Sequence, residues 1–226
     1  MHHRKVQVPR YTPVRLTIQL CLSAMVFSVT CVAAGHDMAT PSVGDIPAKM
    51  AYCEDCHGPS GQGYAGFAPM PRIAGQTTPY LENQLKAFVD SQRDANASIA
   101  MSSIHGPSEF MRTALAEHFS KLDPEPIADG PKGLVAAGKR IYAEGVPVSN
   151  VPACSACHGP EARGKAEIPR LAGQLYPYTV RELESWSTKR GTDPASAHMA
   201  AVMTPVAHAM SHDQIAAVAA YLSYLK

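Results

Sequence analysis

The stretch Cys53-Glu54-Asp55-Cys56-His57 limits what this chain can fold into more than any other, and its pattern recurs as Cys154-Ser155-Ala156-Cys157-His158. Each run is C-x-x-C-H, the attachment signature of a c-type haem. Two thiols at that spacing add across the two vinyl groups of one porphyrin and become thioethers. The histidine directly after the second thiol is then placed beneath the iron and ligates it. Zinc and thioredoxin-like dithiol chemistry are the rival readings. Four thiolates from two C-x-x-C pairs could hold zinc, but zinc needs no histidine directly after each pair. A redox dithiol belongs near a βαβ pattern, and no such pattern is visible. Both runs continue Gly-Pro, at Gly58-Pro59 and Gly159-Pro160, and both head similar segments.

The repeat extends beyond the motif. Pro71-Arg72-Ile73-Ala74-Gly75-Gln76 returns as Pro169-Arg170-Leu171-Ala172-Gly173-Gln174, and Pro79-Tyr80 returns as Pro177-Tyr178. Such self-similarity marks two copies of one supersecondary plan. Tyr80, Leu81, Gln84, Leu85 and Phe88 fall at helical spacing. Ser108 is placed to cap a helix reaching Leu122, with Phe110, Met111, Ala114, Leu115, His118 and Phe119 as its apolar stripe. Ser211 is placed to cap a matching helix over 214–225, and a helix over about 133–143 precedes the second motif. Strand signals are absent, so the chain is expected to be all-α.

Residues 1–34 read as a signal peptide. Arg4, Lys5, Arg10 and Arg15 precede an apolar run, Leu16 to Ala34, that ends in small residues. A retained membrane anchor, giving peripheral association with the membrane, is the alternative reading of that run. Export to the periplasm agrees with haem attachment, which in bacteria takes place outside the cytoplasmic membrane. Cleavage would remove Cys21 and Cys31 and leave only the four motif cysteines. No thiol then remains for a disulfide, a cysteine-ligated iron or a nucleophile. Residues 35–122 form the first domain, 123–132 a proline-rich linker and 133–226 the second domain. Each half is small enough for its protein core to be thin, and a buried porphyrin supplies the missing apolar bulk.

Between Gly35 and Gly130 there are twelve acidic and six basic residues, net −6; from Pro131 to Lys226 there are seven and ten, net +3. No basic run or basic–aromatic interleaving points to nucleic acid. The asymmetry could orient the molecule on charged partners, although ordinary solvated faces would look the same.

Each iron needs a sixth ligand or an open position. Methionine sulfur favours ferrous iron, and in small c-type haem domains this methionine precedes the C-terminal helix. Met203 lies eight residues before Ser211 and Met101 seven before Ser108. With His57 and His158, these are the expected iron ligands. Met70, Met111, Met199 and Met210 compete, as do His105, His198 and His208. The carbonyls of Pro71 and Pro169 are expected to accept Nδ1–H from His57 and His158. Arg72 and Arg170 are candidates to pair with the haem propionates. Tyr80 and Tyr178 are candidates either to hydrogen-bond a propionate or to pack on the porphyrin.

With the C-x-x-C-H-G-P runs, the Pro-Arg-Ile/Leu-Ala-Gly-Gln turns, the Pro-Tyr helices and a methionine before each final helix, the chain resembles the dihaem cytochrome c4 family over residues 48–226. The resemblance implies two tandem class I cytochrome c domains, each wrapped around one covalently bound haem c, with the haem edges close at the interface. It further implies His/Met ligation at both irons and periplasmic electron transfer to a terminal oxidase. His118 departs from the family pattern, which favours an aromatic or apolar residue there. A donor would be a membrane cytochrome complex or a dehydrogenase. Two other functions fit the same features: the electron-accepting subunit of a periplasmic dehydrogenase, and a haem enzyme acting on sulfur compounds or peroxide. The last needs an open or unusually ligated iron, and two available methionines argue against it.

Overall fold

The first half opens with α1, Asp45–His57, whose Ile46, Met50 and Cys53 recur at helical spacing and pack against one core. The structure, a computed structural model, describes residues 45–66, 68–90, 92–93, 101, 106–186 and 194–226, with backbone alone over 194–200. The expected signal segment and the polar residues after it lie outside the described residues.

Helix α2, Thr78–Val89, is capped by the Thr77 hydroxyl, which accepts from the Tyr80 amide, and proline sits in its first turn. Helix α3, Glu109–Ser120, is capped by Ser108 as the sequence suggests, with Ser108 Oγ accepting from the Met111 amide. Its Met111, Leu115 and Phe119 fall four apart, so they share one face. That face buries against Leu81 of α2 and Ile46, Met50 and Cys53 of α1.

The connector, Asp123 to Gly130, runs without helix and is fastened to the second half. Asp129 accepts from the Tyr176 amide, Ser223 Oγ accepts from the Gly130 amide, and the Tyr224 hydroxyl donates to the Gly130 carbonyl. A 3-10 turn, Lys132–Leu134, leads into α4, Val135–Glu144.

The halves differ at the entry to the C-x-x-C-H run. In the first, the motif completes the long helix α1. In the second, α4 stops at Gly145, whose φ of 73° an L side chain resists. Pro147 follows, and Val146 and Val151 bridge across a loop with Asn150 in the left-handed region. The motif then has a single turn of its own, α5, Ser155–His158.

Helix α6, Tyr176–Glu184, matches α2. Helix α7, Pro194–Ala209, contains Pro205, and Met203 stands within it, ahead of the capped final helix. Helix α8, His212–Tyr224, carries a full capping box: Ser211 Oγ accepts from the Gln214 amide, and Gln214 Oε1 accepts from the Ser211 amide. The second core joins Tyr142, Val151, Met210, Ile215, Val218 and Leu222, with Cys154 packed against it.

In both halves one turn ties these parts together. Amides of Ile73 and Ala74 donate to the Gly61 carbonyl and that of Gly75 to Phe119. In the same pattern, Leu171 and Ala172 donate to Ala162, and Gly173 to Leu222. Among the described residues, extended pairing is limited to isolated bridges, so the all-helical expectation holds.

Candidate haem centres and the joint between them

Helix geometry puts Cys53, Cys56 and His57 on one side of α1, because positions three and four apart are neighbours. His57 is buried and its Nδ1 lies 2.8 Å from the Pro71 carbonyl oxygen. His158 is buried likewise, with Nδ1 2.9 Å from the Pro169 carbonyl. A carbonyl can only accept, so each Nδ1 carries the proton and each Nε2 presents a lone pair. Burial holds both imidazoles below their ordinary proton affinity, against the opposing pull of the proline carbonyls; at His57 the charge of Arg93 adds to the lowering.

The four motif thiols are free. Cys53 and Cys154 are half-buried, and burial pushes each thiol up to about 11. Both therefore stay protonated at neutral pH, which suits thioether formation and not thiolate ligation or attack. Cys56 and Cys157 are exposed. Among the described residues no three His, Cys, Asp or Glu side chains converge as a metal site, so the two C-x-x-C pairs do not meet as a zinc site would require. A neutral imidazole held at Nδ1, two thiols within one helical turn and a thin apolar core fit one porphyrin per half.

Met111 and Met210, two of the competitors, are buried in the two cores. Met101 and Met203 are half-buried. His208 is exposed; His105 and the side chains of His198 and Met199 lie outside the described residues. His118 sits at the end of α3 with Nε2 3.6 Å from Glu54 Oε1, edge-on to Phe119.

Arg72 and Arg170, the candidates for the propionates, lie buried against the connector. Both are 3% exposed, and their guanidinium groups lie in the joint between halves. Arg72 donates from Nε to Ala74, from Nη1 to Pro124 and from Nη2 to Asp123 Oδ1. Arg170 donates from Nε to Ala172, and its Nη2 lies 3.1 Å from the same Asp123 oxygen. Each guanidinium reaches over the turn of the opposite half. A Cβ added to Gly75 would stand 2.8 Å from Arg170 Nη1, and one on Gly173 would stand 3.1 Å from Arg72 Nη1. Burial and the neighbouring Arg170 charge pull Arg72 down to about 10.

Two glutamines complete the crossing. Gln76 bonds both the amide and the carbonyl of Arg170, at 2.9 and 2.7 Å. Gln174 does the same to Arg72, at 2.8 and 3.0 Å. The Thr77 hydroxyl also donates to Ala166, and Asn83 to Glu167.

A second bridge centres on Arg93, a residue outside the repeat. It is largely buried, lies over the Phe88 ring at 4.7 Å and donates to Gln84 Oε1 at 2.8 Å. Across the joint it donates to the Tyr178 hydroxyl at 2.8 Å and to Glu182 Oε2 at 3.3 Å. Tyr178 thus meets Arg93 on one side, while Arg181 lies over its ring at 5.3 Å. The only sequence signal for Arg93 is a lone basic residue just past a helix end.

The family model for cytochrome c matches twice, over residues 48–129 and 135–226. The thiosulfate dehydrogenase electron acceptor of Thiomonas intermedia (strain K12) is 36% identical over 88% of this chain and 89% of its own. Cytochrome c4 of Thiocapsa roseopersicina is 34% identical over 84% of this chain and 98% of its own. The solved structure of Acidithiobacillus ferrooxidans cytochrome c4 is 33% identical, with a TM-score of 0.66, and covers 77% of this chain and 99% of its own.

Proposed function

The chain belongs to the cytochrome c family, as a tandem pair of domains akin to cytochrome c4 with two covalently bound haems, and from that premise we propose that it carries single electrons between periplasmic redox proteins. The observation that carries this reading is duplicated: each C-x-x-C-H histidine is buried and held at Nδ1 by a proline carbonyl. When bound, each haem supplies a one-electron Fe(III)/Fe(II) couple.

The residues around it set the terms of that exchange. Cys53 and Cys56 anchor one porphyrin, Cys154 and Cys157 the other. Pro71 and Pro169 fix the imidazole orientation and strengthen Nε2 as a donor. Met101 and Met203 would each supply a thioether sulfur to an iron, a ligand that favours the ferrous state. An iron held by both a histidine and a methionine would offer no position to substrate, which favours a carrier over an enzyme. Residues 1–34 direct it to the periplasm; no described helix is long and apolar enough to cross a membrane. Electrons then leave towards a terminal oxidase.

A second reading concerns the donor. The similarity to thiosulfate dehydrogenase electron acceptors favours a dehydrogenase as the source of electrons. Mixing the oxidised protein with thiosulfate dehydrogenase and thiosulfate separates the readings: rapid reduction supports this donor, and none of it removes the dehydrogenase reading. The carrier reading itself is tested by haem per chain and the oxidised spectrum. Two haems and a full-strength methionine–iron charge-transfer band are expected. A half-strength band, or an iron that readily binds carbon monoxide, overturns the ligation by Met101 or Met203.

A further inference from the structure

We propose that Gln174 and Gln76 are positioning residues for electron exchange, each tuning the haem of the opposite half through the peptide unit that holds that haem's histidine. In each half a single peptide bond has partners on both sides. The Pro71 carbonyl accepts from His57 Nδ1 at 2.8 Å. The amide of that same peptide bond belongs to Arg72, and it donates to Gln174 Oε1 at 2.8 Å. The second half mirrors this arrangement. The Pro169 carbonyl accepts from His158 Nδ1 at 2.9 Å, and the Arg170 amide donates to Gln76 Oε1 at 2.9 Å. The partners force the orientation of both side chains, because an amide N–H only donates and a carbonyl only accepts. Each Oε1 faces the arginine amide and each Nε2 the arginine carbonyl. Gln174 Oε1 is held further by the Leu175 amide at 3.0 Å.

A peptide unit whose N–H is engaged has a more negative carbonyl oxygen, so each hydrogen bond polarises the next along the chain. Both histidines, both arginines and both glutamines are buried, where the low dielectric strengthens that effect. The glutamine therefore makes the proline carbonyl a better acceptor. A histidine held more firmly at Nδ1 gives more electron density through Nε2. More density on an iron favours its ferric state, so each glutamine lowers the potential of the haem across the joint. The proposal rests on each half holding a haem through its C-x-x-C-H run; counting haem per chain checks that reading separately.

The test is a potentiometric titration of the intact dihaem protein, with each haem followed by its own methyl NMR signals. A hydrogen bond weakened by roughly 10–30% changes a redox equilibrium about threefold, or about 30 mV. Gln174→Ala is expected to raise the reduced-to-oxidised ratio of the first haem by that factor and to leave the second near wild type. Gln76→Ala is expected to raise the second haem and to leave the first. In the reduced protein the Nδ1–H resonance of His57 should move upfield in Gln174→Ala, and that of His158 in Gln76→Ala. A joint merely loosened would admit water at both centres and shift both potentials together, so the crossed pattern is the signature. If a variant moves the haem of its own half, both haems equally or neither, the proposal is wrong. Should one variant fail to fold, the other puts the same question to the mirrored half and decides it alone.

Discussion

Asp123 is the carboxylate on which three guanidinium groups converge, with Arg72 at 3.3 Å, Arg170 at 3.1 Å and Arg163 at 3.8 Å. Two of those arginines are buried, so removing the carboxylate leaves like charges facing each other out of water. The aspartate side chain is 41% exposed, which discounts the cost for screening. Asp123→Asn is therefore expected to destabilise the protein by about 1–2 kcal/mol, read as a lower denaturant midpoint. The sequence exposed one part of this site and concealed another. His57 and His158 were legible because attachment chemistry fixes their place relative to two cysteines only residues away. The Pro71 and Pro169 carbonyls were legible because the repeat set them at matching positions. The tasks of Arg72, Arg170 and Arg93 depend on partners from the opposite half, at sequence separations no local pattern records.

The elements follow local chemistry closely where a cap decides. Ser108 and Ser211 both stand where a hydroxyl can take up an orphan amide, and α3 and α8 begin just after them. Ser211→Ala removes one arm of a capping box and should cost about 1 kcal/mol, measured by urea denaturation. Packing decides elsewhere. Gly138 of α4 lies against α8 so closely that a Cβ would stand 2.0 Å from the Ala217 carbonyl oxygen. That atom belongs to a helix backbone and cannot turn aside. Gly138→Ala should cost about 1–3 kcal/mol as overpacking, despite alanine being the better helix former. A stabilised variant would show that α4 and α8 do not cross so tightly. Sequence pattern missed the long α7 because Pro205 reads as a breaker. It also left open that the second motif has its own short turn, where Gly145 and Pro147 stop α4.

At the scale of the molecule the repeat explains why two small cores behave as one body. The described residues form a single compact unit, although their apolar clusters are separate. What joins them is polar and reciprocal. Gln76 satisfies the backbone of Arg170, and Gln174 that of Arg72. Gln174 also accepts from the Leu175 amide. A turn that bonds its own C-terminal helix through Gly75 or Gly173 thereby grips the other half as well. Removing both glutamine side chains would strand buried amides and carbonyls, at about 1–3 kcal/mol for each unsatisfied group. The two cores keep their own helices and haems in that variant, so each half should survive the loss of the other's support. The Gln76→Ala, Gln174→Ala double variant is therefore expected to unfold in two steps where the wild type unfolds in one, followed by helical circular dichroism during heating. Transfer of an electron between the haems should slow in step, because it depends on a fixed separation. A single transition at an unchanged midpoint would place the joint elsewhere, in the connector and the Arg93 bridge.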